Sequence, residues 1–591
     1  METLPPSASL PRWNLSDLFT GPDDPRMFAR LTALKEEAER FSGRYKGRIA
    51  ELTPAELAEA MVEYERMDQD LTRTASYSRL RFAADTAPEN GALLQKVREL
   101  ATAASVPLLF FDVELRALPP ETLEARIAAP ELAGYRHFLE TVRAFAPYRL
   151  TEPEERIRAE FADTGRRAFV RLHDEISAAL RFSVAGREKP LTLSETIHLM
   201  SDADRPTRKA ASDALTDGLS EQGRTYAFIF NTLVQDKATE DRLRGYAYPE
   251  QARHLDNELT EEIVEAVTTV AESGYPLVAR YYAVKKRLLG VETLYQYDRY
   301  APLLTEERTI AFEEARELIS DAFGRFHPAY RDAARAFFDN AWIDAPVLPG
   351  KQGGAFCSYI TPDHHPVIFL NYLGRPGDVR TLAHELGHGI HAYLSRERTF
   401  INFQGTLPMA EVASTFAEQL VFDRMLEGAS EEGRRAAYAE QIEQQFATTF
   451  RQTMLYRFEQ SVHRERRSGE LSLARLNQLW QEGSHRMFGD SVTFEEGHGN
   501  WWMYISHFIA TPFYVYAYTF GLMLALALYR KYREDGDAFA PKYLEMLRAG
   551  GSLSPTALVA PLGIDLADRT FWEGALKIME EQVTAFERLN A

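Results

Sequence analysis

The sequence has only one cysteine among its 591 residues, Cys357. A single cysteine excludes a disulfide within the chain and suits a reducing compartment, so we expect the protein in the cytoplasm. The first residues also lack a basic segment followed by a continuous apolar run, and we therefore expect no signal peptide.

Positively charged residues are also fewer than negatively charged ones. Lys and Arg number 68 against 87 Asp and Glu, which gives a formal net charge of −19. Such a surface, with no long Lys/Arg run to override it, repels nucleic-acid phosphates and anionic lipids. We therefore expect neither nucleic acid nor a membrane as a partner, whereas the oligomeric state stays open.

Long uncharged stretches are rare, and the exception is residues 501–529, which contain no Asp, Glu, Lys or Arg. A run of this length could span a bilayer. Five tyrosines, His507 and Pro512 interrupt it, however, and polar groups at these positions would need partners in hydrocarbon. We prefer to interpret the run as a buried or cleft-lining helix.

Strand signals are also few, because most of the sequence repeats apolar residues at spacings of three and four. This pattern predicts a mainly α fold, and the length favours two or more packed lobes. Residues 181–195 predict a hairpin, and residues 354–372 predict two short strands around a Pro-Asp turn. No internal repeat and no low-complexity linker separates independent domains.

The stretch TLAHELGHGIHAY, residues 381–393, contains the pattern H-E-x-x-H at His384, Glu385 and His388. Two imidazoles one helical turn apart can bind one Zn²⁺, while the glutamate between them activates water. On a helix His391 falls within about 60° of both histidines, and apolar residues occupy the opposite face. An amphipathic helix that merely carries surface histidines is the alternative. Asp378 is the predicted N-cap of this helix and is expected to support the site.

Glu411 follows His384 by 27 residues, on a predicted helix that begins near Pro408. Two histidines and one glutamate leave the fourth zinc position open, as in catalytic sites, whereas structural sites are closed by four protein ligands. Glu418, two turns later, could orient a liganding imidazole. An exposed carboxylate is the alternative for Glu418.

Together, H-E-L-G-H and Glu411 in A-E-V-A-S-T resemble the thimet oligopeptidase family of zinc peptidases, family M3, and most closely its bacterial oligoendopeptidase F branch. Further matching segments cover nearly the whole chain: Trp13-Asn14-Leu15-Ser16-Asp17-Leu18-Phe19, Gly353-Gly354-Ala355-Phe356-Cys357, His507-Phe508 and Tyr514-Val515-Tyr516-Ala517-Tyr518.

The resemblance implies a mainly α, two-lobed helical ellipsoid with a deep central channel and a small β-sheet beside zincin-type metal helices. It implies a zinc metalloendopeptidase that hydrolyses internal bonds of short unstructured oligopeptides, with one Zn²⁺ per chain. Three regions are predicted: residues 1–110 form an N-terminal helical region, 111–200 a helical lobe that ends in the hairpin, and 201–591 the zinc peptidase catalytic domain.

By the same resemblance, His384, His388 and Glu411 bind the zinc and Glu385 is the general base. The family pattern assigns transition-state hydrogen bonding to His507, Tyr514 and Tyr518, although Tyr516 could be the tyrosine that points inward. Peptide backbone could be held by strand addition along a segment that includes Gly354, Ala355 and Phe356, with Tyr516 also contributing to substrate binding. A simple edge strand is the alternative for that segment.

Two other functions stay open from the sequence. A zinc carboxypeptidase or dipeptidase would use the same metal ligands but would need a cationic residue to hold a substrate carboxylate. A peptide-binding helical scaffold would need no activity at all. Among the other histidines, His391 is expected to support the site or to be a bystander, and His364, His365 and His498 are expected to be solvated.

Overall fold

A computed structural model of the chain describes residues 10–303 and 309–591. Helices dominate it, which confirms the mainly α prediction. Local sequence explains where many of them begin. Pro54 occupies the first helical position of Pro54–Ala84, the Thr53 side chain accepts a hydrogen bond from the Glu56 backbone, and the Glu56 carboxylate accepts one from the Thr53 backbone.

Two compact units make up the chain. The first unit comprises Met1–Pro147, Glu307–Gly428 and Leu528–Asp565. Its helices are Pro25–Tyr45, Pro54–Ala84, Pro88–Ser105, Leu109–Arg116, Pro120–Ile127, Arg136–Phe145, Phe312–Phe326, Pro328–Asp339, Pro376–Ser395, Leu407–Gly428, Phe539–Ala549 and Pro555–Val559. We call Pro376–Ser395 the histidine helix and Leu407–Gly428 the glutamate helix.

A three-stranded sheet lies in the first unit. Its strands are β1 (Ile343–Asp344), β2 (Phe356–Ser358) and β3 (Val367–Phe369), and β3 is central. β3 pairs in parallel with β1 and antiparallel with β2, so that Cys357 lies opposite Ile368. The two strands predicted around the Pro-Asp turn are confirmed, and β2 is an edge strand of this sheet.

The second unit comprises Tyr148–Glu306, Ala429–Ala527 and Leu566–Ala591. Its helices are Glu152–Ala162, Arg166–Ala179, Leu193–Leu199, Arg205–Glu221, Gly223–Arg244, Gln251–Asp256, Glu261–Ser273, Tyr275–Leu288, Glu431–Phe446, Gln452–Arg466, Leu473–Phe488, Ser506–Ala510 and Arg569–Leu589. The helix Tyr516–Asp535 contains the boundary between the two units.

The hairpin predicted at residues 181–195 is reduced to a single β-bridge between Phe182 and Leu191. One helix ends at Ala179 and the next begins at Leu193, so little extended chain is left to form strands. The ellipsoid, the channel and the three predicted sequence regions stay predictions.

The uncharged run at residues 501–529 is not one continuous helix. A 3₁₀ helix at Glu496–Tyr504 is followed by the short helix Ser506–Ala510, and only then does Tyr516–Asp535 begin. Pro512 lies in the break, and Phe513 adopts a left-handed backbone conformation with φ of 57°. Within the described ranges, we find no helix whose length and hydropathy would let it cross a membrane.

Candidate metal centre

The histidine helix begins one turn earlier than the sequence predicted. Its first residue is Pro376, and Asp378 is the third helical residue, not the N-cap. The Asp378 carboxylate accepts hydrogen bonds from the backbone N–H groups of Leu373 (2.8 Å) and Arg375 (3.0 Å). Proline is favoured at a first helical position, and this moves the start upstream. Asp378 therefore fixes how the chain enters the helix.

His384, His388 and Glu411 lie close together. The Nε2 atoms of His384 and His388 are 3.4 Å and 3.6 Å from the Glu411 Oε2 atom. One ligand atom from each residue lies within 4.8 Å of the other two. Two imidazole nitrogens and one carboxylate oxygen that converge in this way fit a divalent cation such as zinc.

The charges of this cluster favour a cation. Burial opposes ionisation of Glu411, but the hydrogen bond from His384, the charges of His388 and His384 and the hydrogen bond from Ser414 together outweigh it and lower the pKa of Glu411 to about 2. Burial, helped by the neighbouring His384, lowers the pKa of His388 to about 4, so this imidazole is neutral. An ionised carboxylate and a neutral imidazole are the protonation states that bind metal. His384 differs, because against the effect of burial the Glu411 and Glu418 carboxylates raise its pKa to about 10, so a metal ion that binds here replaces its proton.

Glu418 lies behind His384. Its Oε2 atom is 3.5 Å from His384 Nδ1, and its Oε1 atom is 3.5 Å from the Arg380 guanidinium. The Glu418 side chain is only 9% exposed, so the alternative of an exposed carboxylate is wrong. A carboxylate in this place holds the ring so that Nε2 faces Glu411. Sequence reasoning did not single out Arg380, although its spacing of four from His384 places both on one helix face.

Gly387 brings the two helices of the site together. A Cβ atom at this position would lie 2.5 Å from the Ser414 Cα atom, closer than real Cβ atoms approach. The histidine helix can therefore touch the backbone of the glutamate helix only because residue 387 has no side chain. This contact positions Glu411, whose Oε2 atom also accepts a 3.2 Å hydrogen bond from Ser414.

Glu385 is buried beside the cluster. Burial, reinforced by the charge of Glu411, raises the pKa of Glu385 to about 7, although the charge of His384 and the Cys357 backbone N–H oppose this rise. Within the part of the chain that the structure describes, the Glu385 Oε2 atom has no hydrogen-bond partner. A carboxyl group in this state can both accept and release a proton near neutral pH.

These residues open into a cavity of about 760 Å³ within the first unit. Its lining comprises Thr72, Ala75, Ser76, Arg79, Ala355, Phe356, Cys357, Ser358, Tyr359, Ile360, His384, Glu385, His388, His391, Gln404, Gly405, Ala410 and Glu411. Ala355 and Phe356 thus lie where peptide binding is predicted. Gly354 is not part of this lining. It has φ of 86°, and its carbonyl oxygen accepts a hydrogen bond from Asn371.

Tyr359 is a cavity residue that the sequence reasoning missed. Burial raises its pKa well above the usual range, and the nearby Cys357, Glu411 and Glu385 add to this rise. The hydroxyl therefore keeps its proton and can act as a hydrogen-bond donor. The signal in the sequence is the two-residue spacing from Cys357 in extended chain, which places both side chains on one face.

His391 was expected to support the site or to be a bystander, whereas the three histidines that were expected to be solvated are largely buried, with only 14% of the His365 side chain exposed. His391 lines the cavity, and burial lowers its pKa to about 4. His498, which was expected to be solvated, is buried beside Phe494 and Trp501 at ring distances of 4.6 Å and 4.7 Å. His364 was also expected to be solvated, but its side chain is only 9% exposed. Turn-like sequence does not reveal that a turn is covered by another part of the fold.

His507, Tyr514 and Tyr518 form a cluster in the second unit. The rings of His507 and Tyr514 are 5.6 Å apart, and those of Tyr514 and Tyr518 are 5.4 Å apart. His507 Nε2 lies 3.4 Å from the Tyr518 hydroxyl. Burial and then the charge of Arg451 lower the pKa of His507. The structure thus brings these three predicted residues together with one another.

Tyr516 belongs to the core of the second unit. It is fully buried, and its hydroxyl accepts a 2.8 Å hydrogen bond from Asn257. Its ring also packs against His254 and Tyr456. Because the helix begins at Tyr516, residues 516 and 518 point to different sides, so a core role replaces the substrate-binding role predicted for Tyr516.

Comparison with known proteins identifies similar sequences and folds. The family model described as Peptidase family M3 matches residues 198–578, and the one described as Oligopeptidase F matches residues 114–182. Oligopeptidase PepF of Bacillus subtilis is 27% identical over 589 aligned residues, which cover 98% of this chain and 87% of that protein.

Solved structures agree with this similarity. A structure from Chlamydophila abortus, described as a peptidase, matches with a TM-score of 0.87 at 25% identity and covers 99% of this chain and 100% of that chain. Oligoendopeptidase-F from Enterococcus faecium matches with a TM-score of 0.71 at 23% identity, over 95% of this chain and 98% of that chain. The second likeness concerns the fold alone.

Proposed function

Because the chain belongs to peptidase family M3, we propose that it is a zinc metalloendopeptidase that cleaves internal bonds of short oligopeptides. The family membership predicted from the sequence is confirmed, and with it the prediction that the protein is a peptidase. The observation that carries the proposal is the convergence of His384, His388 and Glu411 beside the buried Glu385, in a cavity large enough for a peptide segment.

The proposed metal ligands are His384, His388 and Glu411, for one catalytic Zn²⁺ per chain. Three protein ligands leave a coordination position free for water or substrate, as catalytic zinc sites require. Zinc bound there would acidify a water molecule and polarise the scissile carbonyl group. Glu418 supports this arrangement by holding His384 from its Nδ1 side.

Glu385 is the proposed general base. Its carboxylate takes a proton from the attacking water and then transfers that proton to the leaving amine. Both transfers need a group whose pKa lies near the working pH, and the buried position of Glu385 supplies this.

Neutral hydrogen-bond donors are proposed to stabilise the oxyanion of the tetrahedral intermediate. His507, Tyr514 and Tyr518 supply one imidazole and two hydroxyl groups for this role. Tyr359 adds a hydroxyl group that lines the same cavity as the metal ligands. None of these donors needs to change its protonation state when the oxyanion forms.

The peptide main chain is proposed to pair with the free edge of β2. Among the residues that the structure describes, β2 pairs only with β3, and Ala355, Phe356 and Cys357 line the cavity. An extended peptide that adds to such an edge is held by backbone hydrogen bonds, whatever its side chains. This arrangement suits an enzyme for unstructured oligopeptides.

We propose that the protein is located in the cytoplasm, because a chain with a single cysteine suits a reducing compartment.

A carboxypeptidase is the second candidate, and Arg79 favours it. This arginine lines the cavity and donates a 3.2 Å hydrogen bond to Ser358 at the end of β2. A guanidinium group there can hold a free C-terminal carboxylate. For a non-catalytic scaffold we find no comparable support, since Glu385 is intact beside the ligands.

Mass spectrometry of a peptide library tests the proposal. The library contains short and long peptides with free and blocked ends, incubated with the zinc-loaded protein. We expect internal cuts in short peptides, including those with an amidated C-terminus. Cuts confined to free C-termini, together with their loss in Arg79→Met, would instead establish the carboxypeptidase.

The Glu385→Gln variant provides the control, because its amide has the same shape but accepts no proton. We expect it to retain one equivalent of zinc and to lose turnover. Wild-type turnover in this variant, or no cleavage of any peptide by the zinc-loaded wild type, would refute the proposed function.

A further inference from the structure

A second group of potential metal ligands lies in the first unit, composed of Asp17, His364 and His365. The Asp17 Oδ2 atom is 3.1 Å from His364 Nε2 and 2.7 Å from His365 Nε2. One ligand atom from each residue lies within 4.8 Å of the other two. None of these residues belongs to the proposed catalytic set. Asp17 comes from the N-terminal segment, and the histidines come from the loop between β2 and β3.

The hydrogen bonds of the two Nδ1 atoms determine which ring nitrogens of His364 and His365 carry protons. His364 Nδ1 lies 2.8 Å from the His365 carbonyl oxygen, and His365 Nδ1 lies 3.1 Å from the Pro366 carbonyl oxygen. A carbonyl oxygen only accepts hydrogen bonds, so each Nδ1 is a donor and carries a proton. In a neutral imidazole the Nε2 atom then has a lone pair and no proton. The Asp17 carboxylate is itself only an acceptor, so the 2.7 Å hydrogen bond between His365 Nε2 and Asp17 Oδ2 requires a proton that a bound cation would replace, whereas the His364 Nε2 lone pair faces the same carboxylate without one.

His364 Nε2 shows the consequence of this arrangement. It is buried and has no hydrogen-bond partner among the residues that the structure describes, although Asp17 lies 3.1 Å away. The His364 side chain is only 9% exposed, so water does not readily supply a partner. Protonation of both rings would place two positive charges at a ring distance of 4.2 Å beside one carboxylate. A cation between the three acceptor atoms satisfies all of them at once.

The geometry is compatible with direct ligation. Zinc ligands of this type lie about 2.0–2.2 Å from the metal, so neighbouring ligands are about 3 Å apart when they are at right angles. In a tetrahedral site the spacing is about 3.4 Å, so the observed distances of 2.7 Å and 3.1 Å require the exposed Asp17 carboxylate to move outward by a few tenths of an ångström when the ion binds. His365 is held in place by Trp342, whose ring is parallel to within 5° at 4.2 Å. Asp17 is 48% exposed, so solvent can complete the coordination.

We propose that Asp17, His364 and His365 bind a second divalent cation of the zinc class, separate from the catalytic one. Two imidazole nitrogens and one carboxylate oxygen suit zinc, cobalt and nickel ions better than magnesium or calcium. The ion links the segment that contains Asp17 to the loop that leads into β3. Its role is structural, since an ion that binds the folded chain and not the unfolded chain stabilises the folded state.

Metal stoichiometry tests this proposal without any measurement of peptidase activity. Metal-free protein is dialysed against zinc chloride at pH 7.5, and bound zinc is quantified by inductively coupled plasma mass spectrometry. We expect two equivalents in the wild type and one in His364→Ala. We also expect one in His388→Ala, which lacks a ligand of the first site, and none when both substitutions are combined. The exposed His485 provides the control, and His485→Ala should bind two.

Thermal unfolding gives an independent readout. In the His388→Ala background, zinc should raise the melting temperature, and the further change Asp17→Asn should abolish this rise. Asp17→Asn retains the side-chain shape, and circular dichroism of the metal-free proteins shows whether the fold is unchanged. Absence of zinc from His388→Ala, or two equivalents in both His364→Ala and Asp17→Asn, would overturn the second site. Loss of peptidase activity alone would not contradict the second metal site.

Discussion

Gly387 packs directly against Ala413, and a β-carbon at residue 387 would lie only 2.5 Å from the Ala413 carbonyl oxygen. The two residues belong to the histidine helix and the glutamate helix, which supply the proposed metal ligands. The separation of these helices therefore depends on the absence of one methyl group. Gly387 is not a proposed metal ligand, yet it sets the distance between the two histidines and Glu411.

Substitution of Gly387 tests this dependence. Gly387→Ala should push the two helices apart, because the obstructing atoms are backbone and cannot rotate away. Overpacking of this kind costs about 1–3 kcal/mol, and we expect zinc affinity to fall by about tenfold or more, as 1.4 kcal/mol corresponds to tenfold. Titration with a competing chelator measures this. Gly43→Ala is the control, since Gly43 lies in a helix of the same unit where, outside that helix's own neighbouring backbone, no atom of the described residues lies within 4 Å of the added carbon. Equal zinc affinity in both variants would show that the contact is not tight.

Glu418→Gln tests the carboxylate behind His384. The amide cannot balance the charge on the imidazole, and removal of such a partner costs roughly 10- to 100-fold in metal affinity or activity. We expect weaker zinc binding with an unchanged fold. Glu427→Gln is the matched control, because Glu427 lies on the same helix but pairs with Arg325 at the surface. If Glu418→Gln binds zinc as tightly as that control, the support assigned to Glu418 is wrong.

Tyr514 and Tyr516 are expected to respond differently to loss of the hydroxyl group. Tyr514→Phe should lower kcat by about 10²- to 10³-fold, the usual effect of losing one oxyanion donor, while KM changes little. Tyr516→Phe should leave kcat unchanged and lower the melting temperature, because its hydroxyl is buried against Asn257. Steady-state kinetics and thermal unfolding of the two variants decide the assignment. If Tyr516→Phe instead lowers kcat and Tyr514→Phe only lowers the melting temperature, Tyr516 and not Tyr514 is the oxyanion donor.

Glu459 should make the stability of the protein depend on pH. It is fully buried, and its carboxylate accepts a 2.8 Å hydrogen bond from the Phe513 backbone. Burial, with a further contribution from Glu250, raises its pKa from 4.5 to about 8. The folded state therefore keeps the proton between these two values while the unfolded chain releases it. The stabilisation is complete below about pH 4.5 and is lost as the pH rises through about 8.

Glu459→Gln removes this titration but keeps the oxygen that accepts from Phe513. We expect the melting temperature of the variant, relative to wild type, to increase between pH 5 and pH 8.5. Glu465→Gln on the same helix is the opposite control, because the hydrogen bond from Arg475 lowers the pKa of Glu465. That variant should lose stability relative to wild type above pH 5. A constant difference between Glu459→Gln and wild type across the range would contradict the assignment.

Sequence patterns predicted the parts of the protein that depend on local spacing. The mainly α fold and the two strands around the Pro-Asp turn are confirmed, because periodicity and turn residues act over a few positions. The four residues His384, Glu385, His388 and Glu411 come together as the motif and the spacing implied. Their chemical roles remain our proposal.

Features that depend on tertiary contacts could not be predicted from spacing. The packing of Gly387 on Ala413 requires the glutamate helix, and the cavity position of Arg79 requires a helix far away in the sequence. Tyr516 illustrates the same limit, because alternating tyrosines look equivalent until Asn257 covers one of them. The start of the histidine helix was misplaced because Pro376 and Asp378 are both favourable near a helix start.

The order in which the chain is made has a consequence for the site. Phe416 of the glutamate helix stacks on Tyr543 at 4.4 Å and also contacts Tyr529 and Phe539, all from the last segment of the first unit. During synthesis the ribosome adds these aromatic residues only after the whole histidine motif and Glu411 have emerged. The nascent polypeptide thus displays every proposed ligand before the helix that presents Glu411 has these three aromatic partners. The packing of Phe416 on these rings, and with it the final support of the helix that presents Glu411, therefore waits until residues 529–543 have been made.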